Sequence, residues 1–169
     1  MHRHLDPEKH FHIKLQKHLV ESGIWHRFLE KPNSTIHTAD ASQVTGIPLK
    51  RISKSLIATT GDGKYYSLIV PGDKKVDLKK AAQIIGVKNI QLVPFNNAHE
   101  ISGYPPGGTP AIGYQKQIKV IIDEELAMQE TFFCGGGSTQ MLLELKSQDV
   151  IKKNKATIGN IQKIEEQSK

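Results

Sequence analysis

The chain has 169 residues, the length of one ordinary domain and too short for two. Lysine and arginine number 23 against 17 aspartate and glutamate, a net charge of +6 that permits a polyanionic partner but falls short of histone-like binders. The single cysteine, Cys134, excludes an internal disulfide framework and a cysteine-cluster metal site, and no apolar run approaches the ~20 residues of a membrane span.

Met1-His2-Arg3-His4 leads into a charged amphipathic segment with no apolar h-region, so no secretory signal is expected, and the chain reads as soluble in a reducing compartment. Asp6 as cap, Pro7 at the first helical position and Gly23 past the end bracket a helix whose narrow apolar face is Phe11, Leu15 and Leu19. Ile24 to Leu29 alternates as a strand, with Trp25 as its core anchor, and Lys31-Pro32-Asn33-Ser34 reads as a turn. Thr38 caps a short helix, Ala39 to Thr45, ended by Gly46. Ile52 to Thr59 and Tyr65 to Val70 form a hairpin through Thr60-Gly61-Asp62-Gly63. Asp77 caps a helix from Leu78 to Ile85 that Gly86 stops, and Ile90 to Val93 is a short strand.

Asn96 or Asn97 caps a helical turn through Ile101, and a glycine- and proline-rich loop runs from Gly103 to Gly113. Lys119 to Ile122 is a strand and Glu124 to Met128 a helical turn. Thr131 to Cys134 is a strand that Gly135-Gly136-Gly137 breaks and Thr139 to Leu145 resumes, with Met141, Leu143 and Leu145 on one face. Ser147 caps a last helix through Lys153, Ala156 to Ile164 is a final strand, and 165–169 is a polar tail. Hairpins mixed with helical crossovers give an α+β class with a mixed, partly barrel-like sheet flanked by short helices, in one domain. Residues 1–37 belong to that domain as its first helix and strand, and 38–164 are its core.

Lys54 stands in Ile52-Ser53-Lys54-Ser55-Leu56-Ile57-Ala58, on the strand face of Ile52, Leu56 and Ala58. A lysine there either snorkels to an edge or points into a cleft where an anion binds. The Gly103 to Gly113 loop is either a surface crossover or a stiff clamp that offers backbone N–H groups to a ligand. It has neither the lysine nor the spacing of a nucleotide-binding glycine loop. Gly135-Gly136-Gly137-Ser138 is a bulge or a second backbone wall of a pocket, and it lacks the pattern of a nucleophile elbow.

Cys134, after Phe132-Phe133, reads as a small buried hydrophobe. His2, His4, His10, His12, His18 and His26 cluster near the N-terminus without acidic or cysteine partners at ligand spacing, so no metal is expected, and His37 and His99 stand alone. The pairs Lys74-Lys75 and Lys79-Lys80, and Lys152-Lys153 with Lys155, read as solvated faces unless the fold gathers them around one cleft.

From about Thr38 to Ile161 these motifs, in this order, resemble the YbaK / prolyl-tRNA synthetase insertion-domain family of aminoacyl-tRNA editing proteins. The resemblance is carried by Lys54-Ser55-Leu56, Val70-Pro71-Gly72-Asp73, Asp77-Leu78-Lys79-Lys80-Ala81, Gly103-Tyr104-Pro105-Pro106-Gly107-Gly108, Gly135-Gly136-Gly137-Ser138 before Leu142-Leu143-Glu144-Leu145, and Asp149-Val150-Ile151 with Ala156-Thr157-Ile158. Two positions depart from the family pattern: Ala111 follows Pro110 where the family places its proline one residue later, and Gly159-Asn160 replaces Ala-Asp. The first is expected to reshape the amino-acid pocket; the second leaves no acid at that point.

What the resemblance implies is a trans-acting deacylase of the cytoplasm that hydrolyses the ester of a mischarged aminoacyl-tRNA at its acceptor end, alone or beside a synthetase, with no cofactor, metal or membrane. The alternative is a non-catalytic RNA- or nucleotide-binding module on the same fold. The family role carries over to Lys54, which would hold the terminal adenosine or its phosphate, and to Gly107 and Gly108, which would supply backbone donors around the ester carbonyl. Ser55, Tyr104, Thr109, Pro110, Ala111, Gly136, Gly137 and Ser138 would line the substrate. The hydrolytic step would use water, with no acyl-enzyme.

Overall fold

Among the described residues eight strands divide between two sheets, with one core between them, a second on the far side of the larger sheet and a small third cluster of Ala41, Ile52, Phe133 and Leu142. The structure is a computed structural model and describes residues 8–165. Helix α1 (Lys9–Ser22) leads to β1 (His26–Glu30), α2 (Thr38–Thr45) and a 3-10 turn at Leu49–Arg51. The hairpin β2 (Ser53–Thr59) and β3 (Tyr65–Pro71) follows, then α3 (Leu78–Ile85), β4 (Gln91–Leu92) and α4 (Ala98–Ser102). The chain ends on β5 (Lys119–Asp123), α5 (Glu124–Ala127), β6 (Thr131–Gly135), β7 (Met141–Lys146), α6 (Ser147–Asn154) and β8 (Thr157–Gly159).

The larger sheet runs β4-β2-β3-β5-β8, antiparallel from β4 to β3 and parallel from β3 to β8. This is the expected α+β class with a mixed sheet. The smaller sheet, β1-β7-β6, is antiparallel throughout. Strand β3 is buried on both faces. Tyr66, Leu68 and Val70 pack against Ala81 and Ala82 of α3, while Ile69 faces Leu15 and Leu19 of α1 and Phe132, Leu143 and Leu145 of the smaller sheet. Each such fully buried side chain contributes about 1.5–3 kcal/mol of burial free energy.

Helix α3 matches its sequence signals residue for residue. The Asp77 carboxylate accepts the Lys80 N–H, and Gly86 closes the helix in the left-handed region. Other expectations are corrected. Asp6 and Pro7 lie outside the described residues, and Glu8 occupies the position before α1. Trp25 is 43% exposed and not a core anchor; it lies just before β1, with the Lys146 ammonium 5.8 Å from its ring centre. Thr38 lies inside α2, whose flanking residue is His37 with no side-chain cap. Ser147 lies inside α6, and its hydroxyl donates to the carbonyl oxygens of Leu126 and Gln129.

The run 131–145 is a hairpin, not one interrupted strand: β7 returns antiparallel to β6 and the glycines are its turn. The final strand covers only Thr157–Gly159, because buried Asp123 draws the following segment away, accepting the Ile161 N–H and the Gln162 side-chain amide. Lys31 departs most from expectation. It is only 4% exposed, and its ammonium donates to Thr35 Oγ1 at 2.6 Å.

Candidate active site

Two glycine-bearing loops meet backbone to backbone. The Gly137 N–H donates to the Gly108 carbonyl at 2.9 Å. A Cβ on Gly108 would stand 2.8 Å from the Gly137 carbonyl carbon, and one on Gly135 would stand 2.4 Å from the Thr109 carbonyl oxygen. No side chain fits between these strands of backbone, which is the physical requirement for glycine at both places. On the other side α1 seals the turn: a Cβ on Gly137 would meet the His12 Cα at 2.7 Å, and His12 Nδ1 donates to the Gly136 carbonyl.

A cleft of about 390 Å³ opens beside this junction, along the edge of β2 that β4 leaves uncovered. Ser55, Leu56 and Ile57 form its β2 wall, Pro94, Phe95 and His99 another, and Tyr104, Pro106 and Thr109 of the glycine-proline loop a third. The lining is mostly apolar; among the described residues it holds one imidazole, His99, and no carboxylate. Ser55 Oγ is buried without a hydrogen-bond partner of normal geometry, and its polar neighbour is the Tyr114 hydroxyl, which pairs with Ser67 Oγ at 2.8 Å. Burial pushes the Tyr114 phenol well above its ordinary range and that of Tyr104 up to about 12, so both are neutral hydrogen-bonding groups at pH 7.

The structure brings Ser55, Tyr104 and Thr109 onto the cleft. Gly107 and Gly108 sit in the chain between its lining residues Pro106 and Thr109. Their expected donor role divides, because the Gly108 N–H is taken by the Pro105 carbonyl at 2.9 Å. The N–H groups of Gly136 and Gly137 are likewise taken, by Met141 and Gly108. Gly107, at φ +80°, is the glycine of this group whose N–H has no acceptor among the described residues.

The other expected lining residues stand behind the cleft. Ser138 Oγ accepts the Gln140 N–H within its own turn, and Pro110 is buried. Ala111 packs in the main core, and its carbonyl accepts from Asn154 Nδ2, so this departure from the family pattern lies under the cleft and not in its wall. Asn160 caps its own local turn, accepting from the Gln162 N–H.

Lys54 is adjacent to the cleft wall at Ser55, on the α3 side of β2, opposite Val70. Its ammonium is half-buried and held below the ordinary lysine range by desolvation, with Asp73 pulling against that and Lys75 adding to it. It makes no hydrogen bond or ion pair among the described residues. A partly dehydrated, unpaired cation gains more from an anion than a solvated one does. Lys75 stands close enough to repel the Lys54 ammonium, whereas Lys80 Nζ is occupied, donating to the Gln162 carbonyl.

Cys134 is fully buried, and desolvation pushes its thiol up to about 12. No group of three or more His, Cys, Asp or Glu among the described residues is placed to hold a metal ion, and none of their helices is long and apolar enough to cross a membrane. The apolar wall from Leu92 to Phe95 carries no sequence motif and is recognisable only once β4 lies along β2.

The family model described as "Aminoacyl-tRNA editing domain" matches residues 32–153. Among curated relatives, an uncharacterised Bacillus subtilis protein, YwhH, is 34% identical over 72% of this chain and 76% of its own. A candidate Cys-tRNA(Pro)/Cys-tRNA(Cys) deacylase of Enterococcus faecalis, EbsC, is 27% identical over 63% of this chain and 65% of its own. The proline–tRNA ligase of Methylobacillus flagellatus is 28% identical over 69% of this chain, which spans only 21% of that ligase.

Two solved structures share the fold. The hypothetical protein APE2540 superposes with a TM-score of 0.82 at 26% identity, over 89% of this chain and 99% of its own. A candidate trans-editing enzyme for prolyl tRNA synthetase gives 0.81 at 24% identity, over 95% and 99%. The matched stretch contains β2, β4, the glycine-proline loop and the glycine turn, and so every residue that lines the cleft: the chain belongs to the aminoacyl-tRNA editing domain family.

Proposed function

We propose that this chain hydrolyses the ester of a mischarged aminoacyl-tRNA, releasing free amino acid and tRNA. The observation that carries the reading is the unpaired, partly desolvated Lys54 beside a cleft walled by the Pro106–Thr109 segment, in a chain of the editing-domain family. Lys54 holds a phosphate or ribose of the acceptor end and sets the ester against the loop. The Gly107 N–H is the backbone donor for the developing oxyanion, and Gly108, Gly135 and Gly137 hold it in place. An ester is reactive enough that orientation and one preorganised donor give substantial acceleration. Water attacks the carbonyl carbon, positioned by the hydroxyl of the terminal ribose. The lining supplies no carboxylate–imidazole pair to activate a protein nucleophile, and Cys134 is both buried and protonated.

Such a protein acts in the cytoplasm, where charged tRNA is used, and the ligases in its family make a prolyl-tRNA synthetase a reasonable neighbour in solution. The test is Lys54→Met, which keeps the stem and removes the charge. Ester hydrolysis is expected to fall by about a hundredfold, the scale of a misplaced substrate, with an unchanged melting temperature. An unchanged rate would reduce Lys54 to a snorkelling edge residue.

A further inference from the structure

Phe95 and His37 form an aromatic pair at the mouth of the cleft, their ring centres 6.1 Å apart and their planes 25° from parallel. They come from separate stretches of chain, His37 just before α2 and Phe95 just after β4. Phe95 is 53% exposed although it lines the cleft, and Leu92 of the same wall and Ile36 beside His37 are also bare. Large apolar side chains gathered at one rim mark a contact surface.

Both halves of the pair are fastened. Gly107 packs directly on the segment before His37, where an added Cβ would stand 2.7 Å from the Ile36 Cα. The Thr35 N–H donates to the Thr139 carbonyl. On the Phe95 side, the Val93 N–H donates to Ile57, and the N–H groups of Asn97 and Ala98 donate to Pro94. The backbone segments that carry the two rings are therefore held on the body of the fold.

A flat, exposed ring backed by a second ring suits a flat ligand. Nucleobases stack on such rings for about 1–3 kcal/mol each with little dependence on base identity, and unpaired bases are the usual target. The net charge of +6 favours the polyanion that carries such a base. A bound amino acid side chain would find its apolar contacts at Leu56 and Ile57, inside the cleft.

We propose that Phe95, backed by His37, is the stacking platform for an unpaired base at the 3′ end of the acceptor strand. This rests on the reading of the chain as an aminoacyl-tRNA deacylase, and it says where the strand lies as it enters.

The experiment uses the uncharged tetraribonucleotide ACCA and the full chain. In a Trp25→Phe, Phe95→Trp variant the sole indole sits on the platform, and ACCA is expected to quench it. Phe95→Leu keeps apolar area but loses the ring, and should weaken ACCA binding about fivefold to a hundredfold; Phe95→Tyr should bind like the wild type. ACCA binding unaffected by Phe95→Leu, or absent in a wild-type protein that hydrolyses ester, overturns the platform and leaves the deacylase reading intact. Platform-dependent ACCA binding by a wild-type protein that hydrolyses no ester supports the platform and sinks the deacylase reading. Phe95→Leu that keeps ACCA binding but loses association with a prolyl-tRNA synthetase makes this a protein-docking face, and the proposal fails.

Discussion

The Gly137 N–H and the Gly108 carbonyl, 2.9 Å apart, join the turn of the smaller sheet to the loop that walls the cleft. The placement of the Gly107–Gly108 wall depends on this junction, because that loop has no regular secondary structure of its own. Gly108→Val puts a branched side chain where even a Cβ would lie 2.8 Å from backbone. The two loops must separate, at about 1–3 kcal/mol or more, and hydrolysis should fall with the melting temperature. Gly61→Ala is the control. It has open space around it and a φ of +84°, so it should lose only the left-handed penalty of about 1 kcal/mol and keep full activity. Equal effects of the two variants would mean that the backbone contact has no special role.

Lys31 makes stability depend on pH in an unusual direction. Burial holds its ammonium down to about 8, against the pull of Glu8, whereas the unfolded lysine titrates near 10.5. Between those values the unfolded chain binds more protons than the folded one, so stability rises with pH across that window, by roughly 3 kcal/mol if the whole difference is expressed. Below pH 8 the full burial penalty is present. Lys31→Met should therefore be at least as stable as wild type at pH 7, and urea melts at pH 7 and 10 should show the wild type gaining on it. A stability difference that stays flat with pH would contradict this origin.

Glu144 is buried and accepts from two donors, Arg27 at 2.7 Å and Thr131 Oγ1 at 2.7 Å, with the Arg51 guanidinium 3.6 Å away as an ion pair. Glu144→Leu leaves the Thr131 hydroxyl and the Arg27 guanidinium without this acceptor, while Arg51 keeps its bonds to Thr131, and should lower stability by roughly 1–3 kcal/mol. Glu144 does not line the cleft, so the rate of hydrolysis measured well below the melting temperature should hold. A large loss of rate with an intact fold would place this network in the active site.

Cys134 is expected to be inert. A thiol pushed up to about 12 inside the core is almost wholly protonated at pH 8 and out of reach of reagents. Ellman's reagent should react with one thiol per chain in denaturant and with almost none in the folded protein, and Cys134→Ala should keep its activity. Rapid reaction in the native state, or loss of activity in the variant, would reopen a nucleophilic role.

Where the local chemistry is decisive, the sequence was readable. Asp77 and Gly86 frame α3 because a cap and a left-handed stop act within a few residues, and the hairpin through Gly61 and Gly63 follows from turn geometry. Lys31 reads as a turn residue in sequence because nothing adjacent to it announces burial; Thr35 and Glu8 reach it only in the fold. Trp25 stays out of the core because strand alternation fixes relative faces but not which face the core takes, and β1 begins at His26, two residues after Ile24.

The glycines named the right loops but not their hydrogen bonds. That the Gly108 and Gly137 N–H groups are consumed internally depends on two distant loops meeting. The pairing of His37 with Phe95 has the same character, since no local pattern links them.

The central claim is that this cleft hydrolyses aminoacyl esters. Its most direct test is to incubate the purified chain with a panel of tRNAs, each charged with the wrong amino acid bearing a radioactive label, and to follow release of the label against spontaneous hydrolysis. The account predicts that at least one mischarged tRNA is discharged far faster than its spontaneous rate, that Lys54→Met removes most of that acceleration, and that mass spectrometry after rapid acid quench finds no acylated protein. Retention of label on every tRNA at the spontaneous rate would contradict the account.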